Sequence, residues 1–328
     1  MRPFRFERAG DADQALALMG AESEARYLGG GTNLVDLMRL GVERPGVLVD
    51  VTRLRGQDRI EETEGGGLRI GSAVSNSQLA ADLRVRARYP VLSEAVLHGA
   101  SGQLRNLATV GGNLLQRTRC AYFTDVTKPC NKREAGSGCP AREGRHHNHA
   151  ILGHSEACVA THPSDMAVAL TALGATVHVH GREGARTIPI PGLHRLPGDD
   201  PQRDTVLEHG ELITAVELAP PADPRPLQRY RKVRERRSFA FALASVAVLL
   251  SLDGNTATDV RIALGAVAHM PWRATRAEEA LRGRPITEHS VDAAAQAELE
   301  QARPLRENGY KVALAHNLIV STVLELAG

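Results

Sequence analysis

Four cysteines, Cys120, Cys130, Cys139 and Cys158, fall in one stretch, and the rest of the 328-residue chain has none. Thiols gathered this way can pair as disulfides, bind zinc or hold an iron-sulfur cluster, and a cluster would use all four. Zinc draws support from the neighbouring His146, His147, His149, His154 and His162, but the CxxC knuckle usual in structural zinc sites is missing. Disulfides need an oxidising compartment, and Met1 to Glu7 lack the apolar run of a secretory leader, so no export signal is expected within this chain. The histidines by themselves read as a solvated loop. Spacing leaves all three cysteine chemistries open.

A second kind of chemistry is carried by backbone. Tyr27-Leu28 ends a strand-like run, Gly29-Gly30-Gly31-Thr32-Asn33 follows, and Leu34 opens a helical pattern. A glycine turn before a helix points main-chain amides at open space beside the positive end of the helix, which stabilises a phosphate. The run fits neither GxGxxG nor GxxxxGK[ST], and without a ligand it is an ordinary turn. A similar run, Ala108-Thr109-Val110-Gly111-Gly112-Asn113-Leu114-Leu115, follows, and two such loops could clamp one diphosphate. His162-Pro163-Ser164-Asp165 is a third candidate, or simply a helix cap. In the basic run Arg229 to Arg237, strand alternation sends Tyr230, Lys232 and Arg234 to one side, where Lys232 could reach an anionic or electron-rich cofactor. No Ser-His-Asp set, paired carboxylates or HExxH motif suggests hydrolysis.

The elements that must position these residues read as mixed α+β. Helical spacing runs over Ala12–Met19 behind Asp11, then over 34–38, 77–83, 91–97 and 164–173, the last stopped by Gly174. Strands are expected at 25–28, 47–51, 68–71 and 175–180, with a hairpin turn at 61–67. Residues 117–160 have no period. The Pro-rich stretch 220–226 reads as a linker, with strands at 228–233 and 260–267 beyond it and helices at 274–281, 291–302 and 308–325. The apolar run Phe239 to Leu252 fits a buried strand or a short core helix equally. A formal charge of +2 and 3% aromatic residues argue against nucleic-acid binding, and no run is long and apolar enough for a membrane span.

The three loops, in this order, resemble the FAD-binding subunits of molybdenum hydroxylases, the xanthine dehydrogenase and aldehyde oxidoreductase family. Gln116-Arg117-Thr118-Arg119-Cys120, Lys128-Pro129-Cys130-Asn131-Lys132-Arg133 and Gly136-Ser137-Gly138-Cys139 resemble the flavin subunits of periplasmic aldehyde oxidoreductases, which carry an inserted 4Fe-4S loop. The resemblance covers nearly the whole chain. It implies a two-lobed FAD-binding domain of the vanillyl-alcohol-oxidase type over 1–222 (lobes about 1–55 and 56–222, with the cysteine loop at 117–160) and a smaller C-terminal α/β domain over 226–328. It places the FAD diphosphate on Leu28 to Leu34, with Thr109, Gly112 and Asn113 approaching diphosphate and flavin, Tyr27, Ala108 and Leu115 also cofactor-binding, and Asp165 on the cofactor's polar portion. Ile213, in Glu211-Leu212-Ile213-Thr214, and Lys232 would lie by the ring, and the four cysteines would ligate the 4Fe-4S cluster. Three consecutive glycines, where relatives have other small residues, are a departure. Also implied are a 2Fe-2S partner and a molybdenum-cofactor partner in a heterotrimer, an external electron acceptor, and a location in the cytoplasm or, by co-export on a partner's signal, in the periplasm. The cysteine loop and the diphosphate loops are expected to be separate devices. Competing readings are a free-standing flavin oxidase and a zinc-stabilised binding protein.

Overall fold

A computed structural model describes residues 1–222 and 225–328, so the middle of the expected linker lies outside the described residues. The chain begins with a small parallel sheet in the order β1 (Arg5–Arg8), β3 (Val47–Asp50), β2 (Ala25–Leu28). Helix Ala12–Gly20 makes the crossover from β1 to β2, and the Asp11 carboxylate caps it by accepting from the Gln14 amide at 2.9 Å. Helix Leu34–Arg39 leads from β2 towards β3, so the triple-glycine turn sits at the carboxyl end of a parallel strand, the usual ligand edge of such sheets.

Five antiparallel strands follow, in the order β4 (Ile60–Glu62), β5 (Leu68–Gly71), β8 (Leu212–Leu218), β6 (Thr176–Gly181), β7 (Gly184–Pro189). Along β6, intermediate and buried residues alternate strictly, the period-2 pattern of a strand with one face in the core. The helical segment expected at 77–83 is broken: Asp82 leaves helical geometry and caps a second helix, Leu83–Arg88. Helix Asp165–Leu173 is almost wholly buried, capped by the Ser164 hydroxyl and ended by Gly174 in the left-handed region at φ 67°.

The last sheet is antiparallel throughout, in the order β12 (Trp272–Arg273), β11 (Thr256–Gly265), β10 (Ala244–Asp253), β9 (Leu227–Val233). The ambiguous apolar run resolves here into a loop, Phe239 to Leu243, and the strand β10. Strand β10 is apolar without alternation because helix Asp165–Leu173 and helix Tyr310–Ala327 cover its two faces. The helical ranges at the C-terminus settle at Thr275–Leu281, Glu288–Leu299 and Tyr310–Ala327.

The cores interlock. Tyr230, Ala247, Leu249 and Ala263 belong to the cluster built on helix Asp165–Leu173, whereas Ile151 and Leu152, from the cysteine segment, pack into the C-terminal cluster. The Ile151 and Leu152 amides both donate to the Val267 carbonyl, at 2.9 and 3.0 Å. The cysteine segment is therefore anchored on the C-terminal sheet, although the sequence before and after it builds the preceding one.

Candidate cofactor cleft and cysteine cavity

The ends of β2, β5 and β8 and the loops between the helices enclose a cleft of about 930 Å³. That lies in the upper range of small-molecule sites and matches an extended dinucleotide. Of the residues singled out in the sequence, Tyr27, Gly29, Gly30, Gly31, Thr32, Asn33, Leu34, Ala108, Thr109, Gly112, Asn113, Leu115, Asp165, Ile213 and Lys232 all line it; Leu28 does not. Leu28 is the last residue of β2 and only delivers the chain to the turn.

The two glycine bends touch. A Cβ on Gly30 would lie 1.8 Å from the Leu107 carbonyl oxygen, and one on Gly29 would lie 2.7 Å from Thr109 Oγ1. Glycine is required there first because one loop is pressed on the other, and only secondarily for the approach of a ligand. Gly31 is required for a different reason, a left-handed φ of 73°. The third loop joins the second where the Ser164 hydroxyl donates to Asn113 Oδ1 at 2.5 Å.

The bends are not equivalent. Among the described residues, the amides of Gly30, Gly31, Thr32 and Asn33 make no hydrogen bond inside the protein. In the second bend the Gly111 amide donates to Ser72 O, Gly112 to Thr109 Oγ1 and Asn113 to Thr109 O. Residues Val110–Leu114 form a short helix capped by Thr109, and the amides of Gly111, Gly112 and Asn113 are spent inside the protein, so the run of four bare donors belongs to the first bend. Four free amides at the mouth of a helix are a cradle for an anion. Asn33 gives that helix no side-chain cap and accepts the Arg117 amide on its Oδ1 at 2.8 Å.

Asp165 and Lys232 also take a different part. Lys232 Nζ sits 2.7 Å from Asp165 Oδ2 and 3.1 Å from the His98 carbonyl, and the Tyr230 hydroxyl donates to Asp165 Oδ1 at 2.5 Å. Both carboxylate oxygens are taken, so Asp165 holds the lysine and tyrosine of β9 in register rather than offering itself freely to a ligand. Burial and the adjacent carboxylate push the Tyr230 hydroxyl well above its ordinary pKa, which keeps it a donor.

Sequence reasoning missed several walls of the cleft: Ser72, Asn76, Arg119, Asp204, Phe239 and Phe241. Asn76 has a buried amide oxygen without a partner. Arg119 stacks over the Phe241 ring, 4.9 Å from its centroid, and burial lowers its pKa to about 10. The available signal was the Phe-Ala-Phe placed just after a run of arginines; Phe239 adopts a left-handed φ of 55°, rare for an aromatic residue.

The four cysteines are free and line one small cavity together with Tyr122, Phe123, Asn131 and Lys132. That removes the disulfide reading from this structure. Among the described residues, no group of three or more His, Cys, Asp or Glu side chains is arranged to hold a metal ion. The histidines do not form one solvated loop: His146, His149 and His162 are buried. His146 is tied to Ala141 O at 3.0 Å, and His149 Nε2 lies 3.1 Å from Cys120 Sγ. Main-chain amides also point at sulfur, those of Tyr122 and Phe123 at Cys120, Ala141, Arg142 and Val159 at Cys139, and Ala160 at Cys158. Burial nevertheless raises the thiols, Cys120 to about 11 and Cys158 to about 12, so unaided they stay protonated and use those donors poorly. A bound cation that holds them as thiolates would satisfy the donors.

The expectation of two separate devices fails. Asp204 ion-pairs with Lys132, whose side chain is 1% exposed and lines the cysteine cavity, and with Arg117 of the cleft at 2.9 Å. His269 packs beside this group, with Nε2 3.8 Å from Asp204 Oδ1 and Nδ1 3.0 Å from Arg195 O. Burial, followed by Lys132, lowers its pKa to about 4. Below about pH 6.5 the unfolded chain takes up a proton there that the native state refuses, so native stability falls from pH 6.5 towards 4. Denaturant melts at pH 7.5 and pH 5 should show His269→Gln losing about 2 kcal/mol less between them than the unaltered chain. His162 and His194, also lowered by burial, keep part of the slope.

The sequence matches the model of the FAD binding domain in molybdopterin dehydrogenase over residues 2–221 and that of the CO dehydrogenase flavoprotein C-terminal domain over residues 228–326. It is 48% identical over 326 residues to the aldehyde oxidoreductase FAD-binding subunit PaoB of Escherichia coli, covering 99% of this chain and 98% of that one. It is 28% identical over 325 residues to the carbon monoxide dehydrogenase medium chain of Hydrogenophaga pseudoflava, covering 96% and 94%. A solved structure of carbon monoxide dehydrogenase from the same organism, lacking the Mo-pyranopterin moiety of its molybdenum cofactor, superposes with a TM-score of 0.77 over 98% of this chain and 96% of that one, at 27% identity.

Proposed function

The chain belongs to the family of FAD-binding subunits of xanthine dehydrogenase and carbon monoxide dehydrogenase type, and from that membership we propose that it is the electron-transferring flavoprotein subunit of a molybdenum-dependent aldehyde oxidoreductase. The observation that carries the reading is the set of free amides from Gly30 to Asn33, at a helix start, facing a cleft of dinucleotide size. These amides bind the FAD diphosphate, and the Thr109–Asn113 bend holds them in place from behind. Ile213 and Phe241 supply apolar wall that excludes water, while Lys232, fixed by Asp165, brings one positive charge to the cleft. When bound, a flavin supplies the capacity to hold one or two electrons and so joins one-electron donors to other acceptors. In this reading the electrons come from the 2Fe-2S clusters of one partner, the aldehyde is oxidised on a second partner that carries the molybdenum cofactor, and an external acceptor drains this chain.

We further assign Cys120, Cys130, Cys139 and Cys158 as ligands of a 4Fe-4S cluster. The support is a shared cavity, amide donors aimed at sulfur, and four thiols without disulfide partners. Residues 128 to 142 close that cavity, and Asn131 clasps them by accepting the Gly138 amide at 2.7 Å and donating to Ala157 O at 3.0 Å. Cys130→Ser should remove most of the iron measured after anaerobic reconstitution while leaving FAD bound at reduced affinity; full iron retention would refute the ligand set.

The decisive experiment adds an aldehyde to the FAD-loaded chain alone and then with its two partner subunits, and follows bleaching of the flavin band. Bleaching only in the assembly is the expected result. Rapid bleaching in the isolated chain would make it a free-standing oxidase instead.

A further inference from the structure

The bridge between the two sites has the form of a coupling device. One oxygen of Asp204 faces Lys132 and the other faces Arg117. Lys132 lies two positions after Cys130, and its ammonium also donates to Pro201 O at 2.9 Å. Arg117 lies three positions before Cys120; a second arm of its guanidinium meets Glu43 Oε1 at 2.7 Å, and its amide donates to Asn33 in the triple-glycine turn. Direct contacts therefore run from the cysteine cavity to the anion cradle through one part-buried carboxylate, and Asp204 is ionised there because both cations draw its pKa far below the usual carboxylate range.

The Lys132 ammonium, 1% exposed, cannot leave the carboxylate it shares with Arg117 without cost, so displacement of Lys132 is felt at Arg117. Arg117 cannot move freely without dragging its own amide off Asn33. The wall that closes the turn is thus fixed from the cysteine side. Whatever binds at either end favours the same arrangement, and such linkage must be reciprocal.

We infer that Asp204 is a positioning residue that couples the cysteine loop to the FAD cradle, so that ordering of the loop tightens FAD binding and FAD binding orders the loop. The FAD half rests on the cleft reading above; the loop half requires only that residues 128–142 gain protection, whether or not iron is present.

The test uses the full chain, stripped of FAD and then refilled, and amide hydrogen exchange in peptides spanning residues 128–142, which do not line the cleft. FAD should slow exchange there about tenfold in the unaltered chain and less than twofold in Asp204→Asn. Lys132→Met, which leaves Arg117 paired with Asp204 at the cradle, should bind FAD yet also lose the distant protection, and it reads the same coupling if Asp204→Asn does not fold. In the reciprocal arm, iron reconstitution should lower the Kd for FAD about tenfold in the unaltered chain and leave it unchanged in Lys132→Met. Equal protection in the unaltered chain and Lys132→Met, or none in either, overturns the coupling. Failure to take up iron while FAD still protects the loop would instead remove the cluster assignment and leave the coupling standing.

Discussion

Gly30→Val should yield a folded but colourless chain, with FAD affinity reduced at least 100-fold in a flavin fluorescence titration. The physical cause is contact, not conformation. A Cβ at this position would stand 1.8 Å from the Leu107 carbonyl oxygen and 2.4 Å from its carbon, roughly half to two-thirds of an ordinary van der Waals separation. Leu107 O is backbone, so it cannot rotate away, and the bends must part. Overpacking of this kind costs about 1–3 kcal/mol or more, and the cost falls on the pairing that presents the free amides. The neighbouring glycines set the scale. At Gly29 the nearest atom is the Thr109 hydroxyl, a side-chain group that can rotate away at the cost of its cap on the Gly112 amide, and at Gly31 the penalty is the left-handed φ, about 1–2 kcal/mol for an L-residue. Gly29→Ala should therefore retain measurable FAD where Gly30→Ala does not. Flavin bound normally by Gly30→Val would mean that the bends do not meet as described.

The sequence carried the cradle but not its asymmetry. Strand, glycine run and helix are local features, and helix Leu34–Arg39 stands where the pattern puts it because periodicity and turn chemistry act over a few residues. That Gly111 spends its amide on Ser72 O was hidden, because that partner depends on where β5 ends relative to the loop, whereas the Thr109 cap on the Gly112 amide is local. The cysteine stretch had no period and so gave no structural signal; its order comes from distant partners such as Val267 O, Asn308 and Lys311, the last buried with its ammonium on the carbonyls of His149 and Ala266. Alternation did send Tyr230 and Lys232 to the same side of β9, but the carboxylate they meet lies on a helix 65 residues earlier, a pairing only the tertiary fold reveals.

That pairing sets the second large effect. Lys232→Met should lower the unfolding free energy by about 3–5 kcal/mol, the usual consequence of leaving a buried charge without its partner. The Lys232 side chain is 1% exposed and that of Asp165 8%, so water cannot take the place of the missing ammonium. The Tyr230 hydroxyl still donates to Asp165, which sets the loss at the lower end of that range. Adding Asp165→Asn should recover at least half of it, since the second change removes the orphaned charge and keeps a group that can accept from Tyr230. The recovery separates electrostatics from packing: if the methionine were simply a poor fit beside His98, the double variant would be no more stable than the single one. Because helix Asp165–Leu173 begins on the cleft wall and β9 is the edge of the last sheet, the same substitution should weaken FAD binding about tenfold, and chemical denaturation followed by both flavin fluorescence and circular dichroism would register the two losses in one experiment. Unchanged stability in Lys232→Met would show that the contact between Lys232 and Asp165 contributes no net stability to the fold.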